Sequence, residues 1–241
     1  MNPIRRELTQ TQWLNAMGVD PFWIVEDQPP ASTAPSIDEP PQAQIDQAQV
    51  ESASDWDALE GQIRSCKRCD LCQGRKQAVP GSGDRHADWL LVGEAPGADE
   101  DMSGLPFVGQ AGKLLDAMMA ALDLKRDQRV YLANAVKCRP PENRTPDSRE
   151  IDACNAFLDQ QIGWIQPKVI LALGRSAAYA VLGQEASIQT LRGRVHYRQH
   201  GDQKIPVVVT YHPAYLLRQP AEKWKVWQDL LMADSTQNSA P

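Results

Sequence analysis

Five cysteines are the first residues of this sequence whose spacing suggests chemistry. Cys66 and Cys69 form a C-x2-C pair, Cys72 follows three residues on, and Cys138 and Cys154 lie far downstream. Four thiolates folded to one place suit either tetrahedral zinc or a [4Fe–4S] cluster, and ligand type does not separate the two. The plainer reading is scattered burial, since free cysteine packs as a small apolar side chain. An odd count without an export signal argues against a disulfide framework. Cys72 is left over from any four-ligand set and is spaced to substitute for Cys69.

Three further stretches carry chemistry-bearing side chains. GEAPG at 93–97 precedes GLPFVG at 104–109. Glycines there let the backbone approach a ligand, and Phe107 is placed either to stack on something planar or to pack in the core. The glycine spacing is neither the Walker nor the dinucleotide pattern. NAVKCRPPENR at 134–144 offers Asn134, which interrupts a strand-like run, and Asn143 beside two prolines. A side-chain amide can match the donor and acceptor edge of a pyrimidine, whereas Asn143 also suits a plain turn. YHPAYLLR at 211–218 supplies His212, and its Leu216, Leu217 and Arg218 could wedge into a duplex and hold a phosphate, or begin a core helix.

These motifs need a scaffold. Strand-type runs at 89–92, 130–136, 169–173 and 207–210 alternate with helix-competent segments, and each run stops at Gly, Pro, Asn or His. Such alternation predicts an α/β fold, a three-layer α/β/α arrangement around a central four-stranded, mainly parallel sheet. The motifs then sit at the carboxyl ends of the strands, where parallel sheets gather their functional residues.

Composition sets the limits. Residues 1–60 hold 2 Lys+Arg against 11 Asp+Glu, and the remaining 23 against 20 leave the rest of the chain at +3. The net charge of −6 therefore belongs to the leader, and the mildly basic remainder is compatible with a polyanion partner. The spacing predicts a short docking peptide over 1–26, a disordered acidic Pro/Gln/Ala-rich linker over 27–54, a folded domain over 55–233 and a disordered tail over 234–241. No apolar run approaches the roughly 20 residues of a membrane helix, and the beginning of the sequence lacks a secretory pattern. A cytoplasmic protein with no membrane partner is expected.

Taken in order, C-x2-C-x-L, GEAPG, GLPFVG, NAVKCRPPENR, the later cysteine, LALG and TYHPAYLLR resemble the family 4 uracil-DNA glycosylases, from about Cys66 to Leu231. The resemblance implies a DNA N-glycosylase that flips uracil out of DNA and hydrolyses its glycosidic bond to start base excision repair. It implies a structural [4Fe–4S] cluster on Cys66, Cys69, Cys138 and Cys154. Phe107 would stack on the base, Asn134 would read its pairing edge, and Gly93 and Ala95 would line the same pocket. Glu94 and Asn143 would position or activate water, and His212 would sit by uracil O2. Leu216, Leu217 and Arg218 would contact DNA. In the best-known branch of that superfamily the first motif carries an aspartate base where this chain has Ala95, so water handling falls to Glu94 or Asn143. Arg5, Arg6, Trp13, Leu14, Met17, Gly18, Val19 and Trp23 resemble the leader of the clamp-loader psi subunit, which implies docking on the chi subunit or another replisome protein. A nucleoid-associated monomer is expected.

Two other readings compete. One is a non-catalytic iron–sulfur DNA-binding factor on the same fold, which would call for a damaged pocket. The other is a superfamily variant that traps its sugar intermediate through histidine; such variants carry a different first motif and an extra basic loop, and the segment at 193–198 has His196 without an obvious insertion.

Overall fold

The computed structural model describes residues 55–239. The docking peptide over 1–26 and the linker over 27–54 lie outside the described residues.

Six strands form one sheet: β1 (Ser82–Gly83), β2 (Trp89–Gly93), β3 (Val130–Asn134), β4 (Val169–Leu173), β5 (Val195–His200) and β6 (Gln203–Thr210). Their order is β1-β3-β2-β4-β6-β5. The inner four are parallel and are the four anticipated from sequence; β1 and β5 pair antiparallel at the two edges. The expected count of four strands is thus corrected to six. Two-residue β1 is too short to leave a periodic signal, and β5 (VHYRQH) is a polar edge strand whose residues are partly or fully exposed. Edges tolerate such sequences because only one side of the ladder is paired.

The inner strands are buried on both faces. Leu90, Val92, Ile170, Ala172, Val207 and Val209 face one core with α1 (Trp56–Ser65), α5 (Ser148–Ile165) and α6 (Arg175–Leu182). Trp89, Leu91, Val169, Leu171 and Val208 face the other with α4 (Gln110–Ala120), α8 (Pro213–Arg218) and α9 (Lys223–Ser239). The two-residue period of a strand divides each apolar run between two cores, which produces the three layers. Short helices α2 (Leu71–Gly74), α3 (Ala98–Ser103) and α7 (Ile188–Leu191) complete the set.

Strand β2 lies between β3 and β4, so the chain leaves β2 towards one side and continues from β4 towards the other. The crevice at the carboxyl ends of β2 and β4 is the switch point where open α/β sheets place ligands. Helix α9 continues to Ser239, through much of the segment expected to be a disordered tail. Gln237 is buried there, and the hydroxyls of Ser235 and Thr236 donate back to the Met232 carbonyl. Among the described residues, no helix is long and apolar enough to cross a membrane.

Candidate active site and cysteine cavity

The end of β2 brings three of the anticipated residues into contact. Gly93 pairs in register with Asn134 at the end of β3. A Cβ on Gly93 would lie 2.4 Å from Asn134 Oδ1 and 2.4 Å from Phe107 Cζ, so only glycine allows the amide and the ring to close on this backbone. Asn134 and Phe107 are both buried. The Phe107 ring stacks against His212 with centroids 5.9 Å apart and planes 27° apart.

Phe107 sits at φ 55°, a left-handed backbone that costs a bulky residue about 1–3 kcal/mol and persists only where its surroundings impose it. Arg126 donates to the carbonyls of Pro106 (3.0 Å) and Phe107 (2.5 Å), and is anchored by Asp116 at 2.6 Å. Glu100 accepts from Val108 N (2.9 Å) and Gly109 N (3.1 Å), and its other oxygen accepts from Gly97 N (3.0 Å). One carboxylate thereby joins the GEAPG and GLPFVG loops. Helix α4 approaches so closely that a Cβ on Gly112 would overlap the Phe107 carbonyl at 1.7 Å. Sequence reading missed Glu100 and Arg126. Glu100 left a signal, the third helical position after Gly97, where a carboxylate reaches back to the cap. Arg126 left none, because its partners are carbonyls nineteen and twenty residues away.

His212 precedes α8, and its Nδ1 accepts the Ala214 N–H at 3.2 Å. With Nδ1 acting as acceptor, the proton of the neutral ring resides on Nε2. Burial, then the nearby Arg218 charge, pushes the imidazole down to about 4, with Glu100 opposing the shift. The ring is therefore neutral near pH 7 and offers Nε2–H as a donor.

Glu94 accepts from Ser176 Oγ at 2.7 Å, at the first turn of α6. A carboxylate at a helix N-terminus is favoured by the dipole. Ser176, two residues beyond LALG, leaves no sequence signal, because its partner lies 82 residues away. Ala95 follows, partly buried, and packs against the core that carries α1 and α5. Asn143 is not among the contacts of this pocket. It is exposed on a 3-10 turn (Pro141–Asn143) at φ 56°, with its Oδ1 held by Arg139 Nε at 2.8 Å. Of the anticipated wedge, Leu216 is corrected: it is fully buried in the core with α9, so it presents no surface to DNA. Leu217 is 48% exposed and Arg218 is exposed beside it.

All five cysteines line one cavity with Ile63, Arg68, Lys137 and Phe157. Cys66 and Cys69 come from the link between α1 and α2, Cys138 from the segment after β3, and Cys154 from α5. Cys72, left over from a four-ligand set and spaced to substitute for Cys69, lines the wall as well. Arg75 Nη1 donates to Cys138 Sγ at 2.8 Å, while its Nη2 donates to the carbonyls of Arg64 (2.7 Å) and Cys66 (3.0 Å). Lys137 N donates to Cys154 Sγ at 3.3 Å. Burial pushes the thiols of Cys69 and Cys138 up and that of Cys154 up to about 12, while Arg75 opposes the shift at Cys138 and Lys137 opposes it at Cys154. Among the described residues, no group of three or more His, Cys, Asp or Glu is placed to hold a metal ion, although all five cysteines line this cavity.

The sequence is similar to those of known proteins. The profile of the Uracil DNA glycosylase superfamily matches residues 80–231. A type-4 uracil-DNA glycosylase of Pyrobaculum aerophilum is 41% identical over 182 residues, 74% of this chain and 92% of that protein. One from Sulfurisphaera tokodaii is 46% identical over 167 residues, 67% of this chain and 76% of that protein. A type-5 uracil-DNA glycosylase of Thermus thermophilus is 32% identical, covering 64% of this chain and 85% of its own length.

Proposed function

The chain belongs to the uracil DNA glycosylase superfamily, and we propose that it hydrolyses the N-glycosidic bond of deoxyuridine in DNA as the first step of base excision repair. The observation that carries this reading is the closure of Asn134 and Phe107 on Gly93 beside a neutral His212. A base inside a duplex must be extruded to reach such a site, and uracil's weak pairing lowers that cost. Phe107 provides the stacking face. The Asn134 amide, held against Gly93, presents one donor and one acceptor in a fixed order, which matches uracil and mismatches cytosine.

Cleavage moves the N1–C1′ electron pair onto the base, and the charge spreads to O2. His212 Nε2–H donates to that oxygen, a preformed dipole aimed at charge that appears only in the transition state. Water then adds at C1′ and loses a proton. Glu94, fixed by Ser176, orients that water on this reading; Asn143, exposed and held by Arg139, is a candidate for a lesser contact with the DNA strand. Leu217 and Arg218, exposed on α8 next to His212, face the duplex as wedge and phosphate contact.

The donor chemistry of the cysteine cavity suits a [4Fe–4S] cluster: thiols line it, and Arg75 and the Lys137 amide donate to two of their sulfurs. Cys66, Cys69, Cys138 and Cys154 would hold it, and when bound it supplies a cross-link between α1, the segment after β3 and α5. We further place the enzyme as a cytoplasmic, nucleoid-associated monomer, recruited by residues 1–26 to the chi subunit or another replisome protein. Absence of binding between a 1–26 peptide and chi in a pull-down would remove that recruitment.

The test of the activity is base release from a uracil-containing oligonucleotide by wild type beside Asn134→Ala. Alkali-labile cleavage by wild type and a loss of about a thousandfold in kcat/KM for the variant support the assignment. No cleavage by protein with full iron content would favour a non-catalytic DNA-binding factor instead.

A further inference from the structure

Lys137 joins the two sites: the residue lines the cysteine cavity and its side chain reaches Asn134. Its side chain is fully buried, at 1% exposure, and it lines the cysteine cavity next to Cys138. Its ammonium does not turn to solvent. Nζ donates to the Asn134 carbonyl at 3.1 Å and to Gln161 Oε1 at 2.7 Å. Gln161, itself buried on α5, donates from Nε2 to the Pro80 carbonyl at 2.9 Å. The Lys137 backbone is fixed as well: its N–H meets Cys154 Sγ and its carbonyl accepts from Val79 N at 2.8 Å.

Burying an ammonium against two neutral oxygens is costly unless negative charge lies close by. The sulfurs that share its cavity are the source of that charge once they bind metal as thiolates. The carbonyl it grips belongs to the residue whose amide packs on Gly93.

We propose that Lys137 is a positioning residue that couples the cysteine cavity to base recognition, holding the Asn134 backbone so that its amide keeps one orientation towards the base. This rests on the reading of Asn134 as the uracil reader and of the cavity as a metal-thiolate site. The coupling is mechanical: the cavity wall fixes the lysine, and the lysine fixes the carbonyl of the reader. It gives the cysteines an influence on the pocket without any electron transfer.

The test compares full-length, iron-loaded wild type with Lys137→Met, which keeps length and removes the donor, and with Gln161→Leu, which removes the second anchor and leaves every cysteine neighbour intact. Iron content and the visible absorption of the metal site are measured first. Binding of free uracil, kcat and KM on uracil DNA, and preference for uracil over cytosine follow. Lys137→Met should hold iron, bind free uracil about tenfold more weakly, lose about 10- to 100-fold in kcat/KM, and discriminate less against cytosine. Gln161→Leu should shift uracil binding in the same direction by about threefold. Iron-loaded Lys137→Met with wild-type uracil affinity and discrimination overturns the proposal. Should Lys137→Met lose its iron, wild-type uracil affinity in iron-loaded Gln161→Leu overturns it equally. Unchanged uracil binding by Asn134→Ala would instead remove the assignment of Asn134, a separate failure.

Discussion

The pocket at Gly93, Asn134 and Phe107 and the cysteine cavity are linked through the Lys137 bond to the Asn134 carbonyl and are built by different means. The pocket is set by the sheet: Gly93 and Asn134 are partners in a parallel ladder, and steric closure on Gly93 places the amide and the Phe107 ring. The cavity draws on segments outside the ladder, from the end of α1, the run after β3 and the body of α5, joined by Arg75. A site made by backbone register exists before its ligand arrives. One drawn from separate segments would, on the reading proposed above, be completed by the metal it binds.

Metal removal tests this contrast most severely. Iron-chelated protein should lose at least about 10 °C in Tm and become open to trypsin near Lys67, Arg68 and Arg75, while its strand signal in circular dichroism persists. Collapse of the sheet together with the cavity would erase the distinction between the two regions.

Gly93→Ala attacks the pocket alone. Its Cβ would displace Asn134 or Phe107, so kcat/KM should fall about 100-fold or more with iron content unchanged and a stability loss of about 1–3 kcal/mol. Wild-type kinetics in this variant would show that ladder sterics do not place the amide.

The pH profile is a subtler probe. With His212 depressed to about 4, the neutral donor persists across the ordinary range. The histidine-dependent part of kcat/KM should stay flat from pH 8 to about 5 and fall only near 4. For stability the sign follows from proton counting: between about 4 and 6.5 the unfolded chain binds a proton here that the native state does not. This group's contribution is therefore full above the unfolded value and lost as pH falls through 6.5 towards 4. An alkaline limb near 6.5 that disappears in His212→Asn would show a charged imidazole at work, whereas an acid limb there would show a neutral donor whose pKa burial has not lowered.

The smallest effect on activity separates neighbours on α8. Leu217→Ala should lower kcat/KM on duplex DNA a few-fold, spare single strands and leave Tm unchanged. Leu216→Ala should cost about 2–5 kcal/mol of stability, because it empties a core position. The reverse pattern would reassign the wedge.

The sequence alone determined the α/β class and the four parallel strands, and it marked the cysteines and the strand-end side chains as candidates. Short continuous apolar runs bounded by Gly, Pro, Asn and His and alternating with helix-competent segments point to buried parallel strands. Cysteine spacing and strand-end motifs are likewise local patterns. Edge strands β1 and β5 were not legible, since one is two residues long and the other carries polar side chains. Tertiary structure alone decided that Leu216 turns inward while Leu217 turns out, that Asn143 stays exposed with Arg139, and that Cys72 joins the cavity wall. It also decided which side chains hold the site: Glu100, Arg126, Ser176 and Lys137 act through bonds to loops, carbonyls and a neighbouring carboxylate. Such bonds form only when the strands align their ends, because a charged side chain's partner is set by distance in space and not by its place in the chain.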